Sequence, residues 1–431
     1  MTWPEQPEQP GRPEQRSSSM PYFFLSYART PRQDPADRYD PDRWVHKLYR
    51  DLCENIFNLT NAPPGTAGFM DRQNRPGVQW PGELAKALAT CRVFVPLYSP
   101  RYFESMNCGK EWFAFTLRAL NQNQKKRKPK AVPAIVPALW VKVADEKLPD
   151  VARVIQFNHH KFGTRYGDEG FYGIMKVSRY RHDYQIAVYE LARRIVEVAE
   201  HTRIDPEEPT DYMRLESAFR LDGAPPASQR QLHLTVVAAG TSSLPAGRGP
   251  YYYGAGSHQW NPYRPETSQP VADYAADLAR CLSIRPTVRI LDESIAAGDR
   301  EPVTPGLYLV DAWATQLPQY REWLRRLDER DQPCASVIVP WNKDDTETAA
   351  AEQRLRTGLE ECLGRMLARV PHNCRPAALG IPTFQEFGHL LALMATTLIG
   401  QYLKEAPAYP PDGVTAERPR LLLPDPEDHG G

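Results

Sequence analysis

The chain has no excess of charge of either sign: 53 basic and 53 acidic residues leave a formal net charge of zero. That balance argues against an overall electrostatic affinity for nucleic acid or an anionic membrane surface, and neither is expected as a partner. Long apolar runs are also missing. The longest, near Leu390–Ile399, falls short of the ~20 residues that span a bilayer and reads as a buried helix. The seven cysteines (53, 91, 108, 281, 334, 362, 374) form no CxxC pair and no close even-numbered framework, which favours a reduced, cytoplasmic setting. No signal pattern precedes the first apolar segment, which follows a polar Pro/Glu/Gln tract. The glycines between Leu234 and Gly256 match neither GxGxxG nor a phosphate-binding loop. His159 and His160 are adjacent, so a strand would send them to opposite faces, and no metal site is expected.

Proline, by contrast, is abundant, with 42 residues that fall largely in the tails and between periodic segments as punctuation. The 431 residues exceed one ordinary core and predict two or three domains. Residues 1–19, with their repeated Pro-Glu-Gln, and 406–431 are expected to be disordered tails, because they offer too little apolar area to offset ordering entropy. Residues 20–201 form a first domain, 202–229 a linker enclosing one short helical stretch, and 230–405 a second domain.

In the first block, strands are predicted at Tyr22–Tyr27, Gly68–Asp71, Cys91–Tyr98 and, broken by prolines, Ala131–Trp140. Helices are predicted from Asp42, which can cap its helix, and over Gly82–Thr90, from Ser105 to about Leu120, and over Gln185–His201. The second block alternates strands at Leu232–Ala238, Thr287–Leu291, Leu307–Val310 and Ala335–Pro340 with helices at Val271–Leu282, Gln319–Arg330, Glu347–Val370 and Phe384–Lys404. Such alternation predicts two tandem α/β domains, each a flavodoxin-like parallel sheet with helices on both faces.

The segment Ser105-Met-Asn-Cys-Gly-Lys-Glu111-Trp112 carries the most chemistry. Ser105 can cap a helix, and Cys108 and Glu111 follow at steps of three, sharing roughly one face. By themselves these residue types have bland readings: Glu111 a solvated helix carboxylate, Cys108 and Trp112 packing residues, Arg29 a solvated loop residue. Asp71 reads as a strand end, and Pro76-Gly77 as a turn in which Pro presets φ and Gly permits φ > 0. Lys125–Lys128 reads as cations at a helix C-terminus.

Together, Phe24-Leu-Ser-Tyr-Ala28, Asp71-Arg72, Pro76-Gly77, Trp80, Pro96-Leu-Tyr-Ser-Pro100 and Ser105…Cys108…Glu111-Trp112 resemble, in order and spacing, a TIR domain over about residues 20–200. The second block, with Trp260-Asn-Pro-Tyr263, Val310-Asp-Ala-Trp313 and Pro340-Trp-Asn342, resembles the C-terminal half of the TIR-like FxsC proteins, which are encoded with FxSxx-COOH peptide-modification loci in actinobacteria.

The resemblance implies two possible functions. Some TIR domains are adaptors that associate through the loop after the second strand, here about Arg72–Trp80. Others cleave NAD at the nicotinamide–ribose bond with a Glu that matches Glu111, in sites generally completed by neighbouring subunits. No cofactor is expected to be held permanently; NAD is the candidate substrate. One carboxylate suffices in principle, because nicotinamide leaves a pyridinium as a neutral molecule and the barrier lies in an oxocarbenium-like ribose. Tyr27 and Trp112 are the expected ring walls, and Arg29 or Arg72 the expected pyrophosphate contact. Asp71, Pro76, Gly77, Trp80, Ser105 and Cys108 complete the expected binding set. Self-association through the TIR domain and partners from a peptide-modification locus are the expected interactions.

The reading from another class is a non-enzymatic scaffold in a modification or signalling locus; a third is a nucleotide sensor without turnover. The second block has Glu322-Trp323 but no preceding Ser and Cys, so it is expected to be non-catalytic. Its Tyr251-Tyr-Tyr253 and Trp260-Asn-Pro-Tyr263 cluster is either a peptide-contact surface or a loop folded over its own domain.

Overall fold

A computed structural model describes residues 20–31, 40–63, 65–71, 80–125, 134–155, 160–202, 204–219, 230–291, 305–370 and 374–405. Both expected tails lie outside these residues, as does most of the loop between Arg29 and Pro41.

The first sheet is wholly parallel, with strands β1 (Phe23–Ser26), β2 (Gly68–Met70), β3 (Val93–Tyr98) and β4 (Ala138–Leu139) in the order β2-β1-β3-β4. All residues of β1 and β3 are buried, as expected for strands covered on both faces. Phe24 pairs with Phe69 on one side and Phe94 on the other, and its ring stacks on both. Of the strand expected over Ala131–Trp140, residues 131–133 lie outside the described residues, and the rest holds the two residues of β4 plus a single bridge between Phe94 and Ile135. Pro137 lies between them and has no N–H to donate to the ladder.

Helices α1 (Arg43–Leu59), α2 (Trp80–Thr90), α3 (Pro100–Glu104) and α4 (Met106–Lys125) connect the strands, followed by α5 (Asp150–Arg153), α6 (Thr164–Lys176) and α7 (Arg181–His201). Val45, Leu48, Leu52 and Ile56 of α1 recur at helical spacing and face the core. Asp42 does not cap α1 with its side chain. Its carboxylate instead accepts the Thr30 N–H at 3.0 Å, tying the segment after β1 to the start of the helix. Three glycines conceal α6 in the sequence. Gly170, at φ +66°, bends it so closely over Trp140 that a Cβ there would lie 2.5 Å from the Trp140 carbonyl oxygen.

The second sheet repeats the plan with β5 (Gln231–Val237), β6 (Arg285–Ile290), β7 (Gly306–Val310) and β8 (Ala335–Ile338) in the order β6-β5-β7-β8, all parallel. Its helices are α8 (Val271–Cys281), α9 (Pro318–Arg330), α10 (Thr346–Ala350), α11 (Glu352–Arg369), α12 (Arg375–Leu379) and α13 (Phe384–Glu405). The apolar run near Leu390–Ile399 lies in α13, where Leu391, Met394, Leu398 and Ile399 are buried. Among the described residues no helix is long and apolar enough to cross a membrane.

The stretch expected to be a linker is packed. Residues 204–219 form a belt across α2 and α4. Arg118 of α4, almost fully buried, donates to the carbonyls of Ile204 and Asp205 in the belt and to those of Leu88 and Cys91. Farther along, Glu207 N–H reaches the Ala89 carbonyl, Tyr212 Oη donates to the Asn107 carbonyl, and Ala218 N–H donates to the Gly109 carbonyl. Gly109 is required at that crossing, because a Cβ would meet Ser217 Oγ at 1.9 Å. Phe219 closes the belt among Tyr102, Phe103 and Trp112. The second domain joins the same surface: Ser283 Oγ donates to the Ala218 carbonyl at 3.0 Å, and Tyr274 Oη to Asn121 of α4 at 2.9 Å.

Candidate functional site

In a parallel sheet of order β2-β1-β3-β4, the chain leaves β1 and β3 in opposite directions, so a crevice opens at their carboxyl ends. Ser26 ends β1 at that point. Beyond β3, Ser99 caps α3 by accepting the Tyr102 N–H at 3.1 Å, and Ser105 caps α4 by accepting the Cys108 N–H at 3.3 Å. The two short turns bring Tyr102 and Glu111 to Ser26.

Glu111 is 6% exposed. Ser26 Oγ donates to its Oε2 at 2.5 Å, and Tyr102 Oη lies 2.9 Å from the same Ser26 Oγ. Burial pushes the Glu111 carboxyl up to about 8; Asp71 adds to this, while the Ser26 hydrogen bond and Arg29 oppose it. The group is thus largely protonated near pH 7.

Asp71 directly follows β2 and forms an ion pair with Arg29 at 2.5 Å. Tyr27 is half-buried beside them, with Oη 3.5 Å from the Asp71 carbonyl oxygen. Burial, and after it Asp42, holds its phenol well above the ordinary range, so it is a neutral donor. Glu111, Tyr27, Arg29 and Asp71 therefore gather on one side of the crevice. Arg72, Pro76 and Gly77 lie outside the described residues, as does the side chain of Trp80, which begins α2.

Two expected members do not line a site. Trp112, 1% exposed, packs edge-on against Phe94 and against Phe219 of the belt, so it is core and no ring wall. Cys108 is equally buried, and burial, then Glu111, raises its thiol well above the usual range. It is a packing residue and no nucleophile. Nothing local in the sequence marks Ser26 or Tyr102 as a site residue. The available signal was position: Ser26 is the one hydroxyl within the Phe23–Ser26 strand and sits at its carboxyl end.

The second sheet has the same crevice, between β5 and β7, and fills it with its own side chains. Arg248 is buried there, donating to Tyr253 Oη at 2.9 Å and forming ion pairs with Asp345 at 2.7 Å and Glu347 at 3.1 Å. Tyr253 Oη in turn donates to Asp311 at 2.6 Å. Burial works against the Arg248 charge, but Tyr253, Asp311 and Asp345 outweigh it and hold the guanidinium protonated. Asn261 accepts the Tyr263 N–H and donates to the Thr267 carbonyl, and Asn342 donates to the Pro262 carbonyl at 2.8 Å. The Trp260–Tyr263 and Pro340–Asn342 segments are thereby stitched together: this loop is folded over its own domain, although Tyr251 remains exposed. Glu322 is exposed and pairs with Arg326 on the same helix, while Trp323 is buried against Tyr308.

None of the seven cysteines forms a disulfide, and no cluster of His, Cys, Asp or Glu among the described residues is arranged to hold a metal ion. Residues 23–168, which hold the whole first sheet, match the family model of the TIR domain. No curated protein matches the chain.

Proposed function

We propose that the first domain binds NAD and cleaves its nicotinamide–ribose bond through Glu111, hydrolysing or cyclising it when chains assemble through the TIR domain. The observation that carries this reading is a single buried carboxyl at the carboxyl-end crevice, held by a serine hydroxyl and directly paired with no cation among the described residues. In hydrolysis the C–N electron pair leaves with the ring nitrogen, giving neutral nicotinamide, and water adds to the ribose carbon with loss of one proton. The positive pyridinium beside Glu111 favours its ionised form, and the carboxylate then faces the oxocarbenium-like ribose as charge develops there. Tyr27 supplies an aromatic flank with a phenol donor, and Arg29, beside Asp71, a guanidinium for phosphate oxygens. Dependence on assembly makes the activity steeply concentration-dependent. The second domain is read as a non-catalytic, regulatory or partner-binding unit of a cytoplasmic protein; FxsC-like membership of a peptide-modification locus is part of the same proposal.

The test is release of nicotinamide from NAD by the full chain over a wide range of protein concentration, beside Glu111→Gln. Turnover that rises with concentration and disappears in the variant is expected. Absence of turnover at every concentration would leave a binding scaffold, and turnover that survives the substitution would remove Glu111 from the mechanism.

A further inference from the structure

Two hydroxyls stand behind Glu111, and their arrangement is directional. Ser26 and Tyr102 are both almost fully buried, and each lies within a regular element: Ser26 the last residue of β1, Tyr102 the middle of α3. A serine hydroxyl has one proton. When Glu111 is ionised, Ser26 commits that proton to Oε2 at 2.5 Å, so the 2.9 Å contact with Tyr102 requires Tyr102 Oη to donate to Ser26 Oγ. The chain then runs Tyr102 to Ser26 to the carboxylate, every link donating toward the charge. Each bond in such a chain polarises the next and strengthens it. Oε1 accepts no hydrogen bond from a described residue, so the rotation of the carboxyl is set from one side only.

We infer that Ser26 and Tyr102 are positioning residues for the reaction, holding Oε2 so that Oε1 is presented to the substrate ribose and stabilising the carboxylate while positive charge develops on the sugar. This rests on the reading of Glu111 as the catalytic carboxylate.

The other groups around Glu111 are few. From its own helix comes the neutral Cys108 thiol, which also lies against Ser26 and Ser105. From the ends of β1 and β2 come Arg29 and Asp71, already paired with each other. From the belt comes Tyr212, whose phenol burial keeps neutral. Among the described residues the Ser26 hydroxyl is therefore the main group holding the carboxylate directly.

Ser26→Ala and Tyr102→Phe test the inference in the full chain; the second keeps the ring that packs on Tyr98, Phe103 and Phe219. Two quantities are read. The first is the ionisation midpoint of Glu111, from the infrared carboxyl band that Glu111→Gln removes. The second is the pH profile of NAD cleavage. Ser26→Ala is expected to move the midpoint up by about one pH unit or more, Tyr102→Phe in the same direction by less. Both are expected to lower kcat about 10- to 100-fold with KM within about threefold, because the lost interaction is strongest in the transition state. Unmoved midpoints in both variants would overturn the inference, as would a loss carried by KM alone. The infrared titration needs no turnover, so the two readings fail separately. A shifted midpoint in a chain that never cleaves NAD establishes the hydroxyl chain and removes the chemistry. Cleavage with unshifted midpoints keeps the chemistry and removes the positioning role.

Discussion

The two domains share strand order, parallel pairing and a crevice at the same topological point, yet they treat that crevice in opposite ways. In the first, a carboxyl is buried with only hydroxyl support, at a cost to the fold. In the second, two buried aspartates and a glutamate from separate segments converge on Arg248 and Tyr253. An unpaired acid that shifts its ionisation is what a reactive site needs; a satisfied ionic network is what a closed structural joint needs. The same architecture thus holds a carboxyl without a cation in one crevice and a paired ionic network in the other.

That contrast breaks most visibly at Glu111. Glu111→Gln should lower NAD cleavage by about a thousandfold or more while the chain stays folded, as read by nicotinamide release and melting temperature. The opposite pattern is expected for Arg248→Ala. It leaves Asp345 buried without its cation and should destabilise the second domain by about 3–5 kcal/mol in denaturant unfolding, with NAD cleavage retained below the transition. If Arg248→Ala instead abolished cleavage in the folded protein, the two crevices would not be separate.

A pH titration sharpens the same point. The Glu111 carboxyl ionises near 8 in the fold but near 4.5 when free, so the folded state binds the extra proton between those values. Stability from this group is complete below pH 4.5 and is lost as pH rises toward 8, on the order of a few kcal/mol. The melting temperature of Glu111→Gln should therefore overtake that of the parent increasingly from pH 5 to pH 9, while kcat/KM of the parent rises through a midpoint near 8. A pH-independent gap would contradict the buried, unpaired state of Glu111.

Smaller effects are expected at the edges. Gly109→Ala forces Ser217 off α4 and should cost about 1–3 kcal/mol in chemical unfolding. Arg29→Ala breaks a half-exposed ion pair; its cost in stability should stay below about 1 kcal/mol, while KM for NAD rises.

The strands were legible because buried parallel strands are continuous apolar runs, and the helices because apolar residues such as Trp44, Leu48 and Leu52 recur at helical spacing. The capped helix carrying Glu111 was equally plain, since Ser105 and Cys108 act locally. What escaped was set by the third dimension. Glycines used for close approach disguised α6. Trp112 read as a ligand wall because a sequence does not show that Phe94 and Phe219 meet it on either side. Ser26 carries no local mark in the sequence because its importance comes from Glu111, 85 residues away. The belt read as a linker because its bonds run to backbone carbonyls, which leave no trace in side-chain patterning.

The belt also decides where this molecule can be cut. The last helix of the first domain ends at His201, the natural place for a scissor, but a fragment stopping there loses Phe219 from the Tyr102–Phe103–Trp112 cluster and bares the groove at Gly109. An excised first unit that keeps this packing must extend through residue 219. An inactive shorter piece would report a missing lining beneath Tyr102, and would say nothing about the chemistry of Glu111.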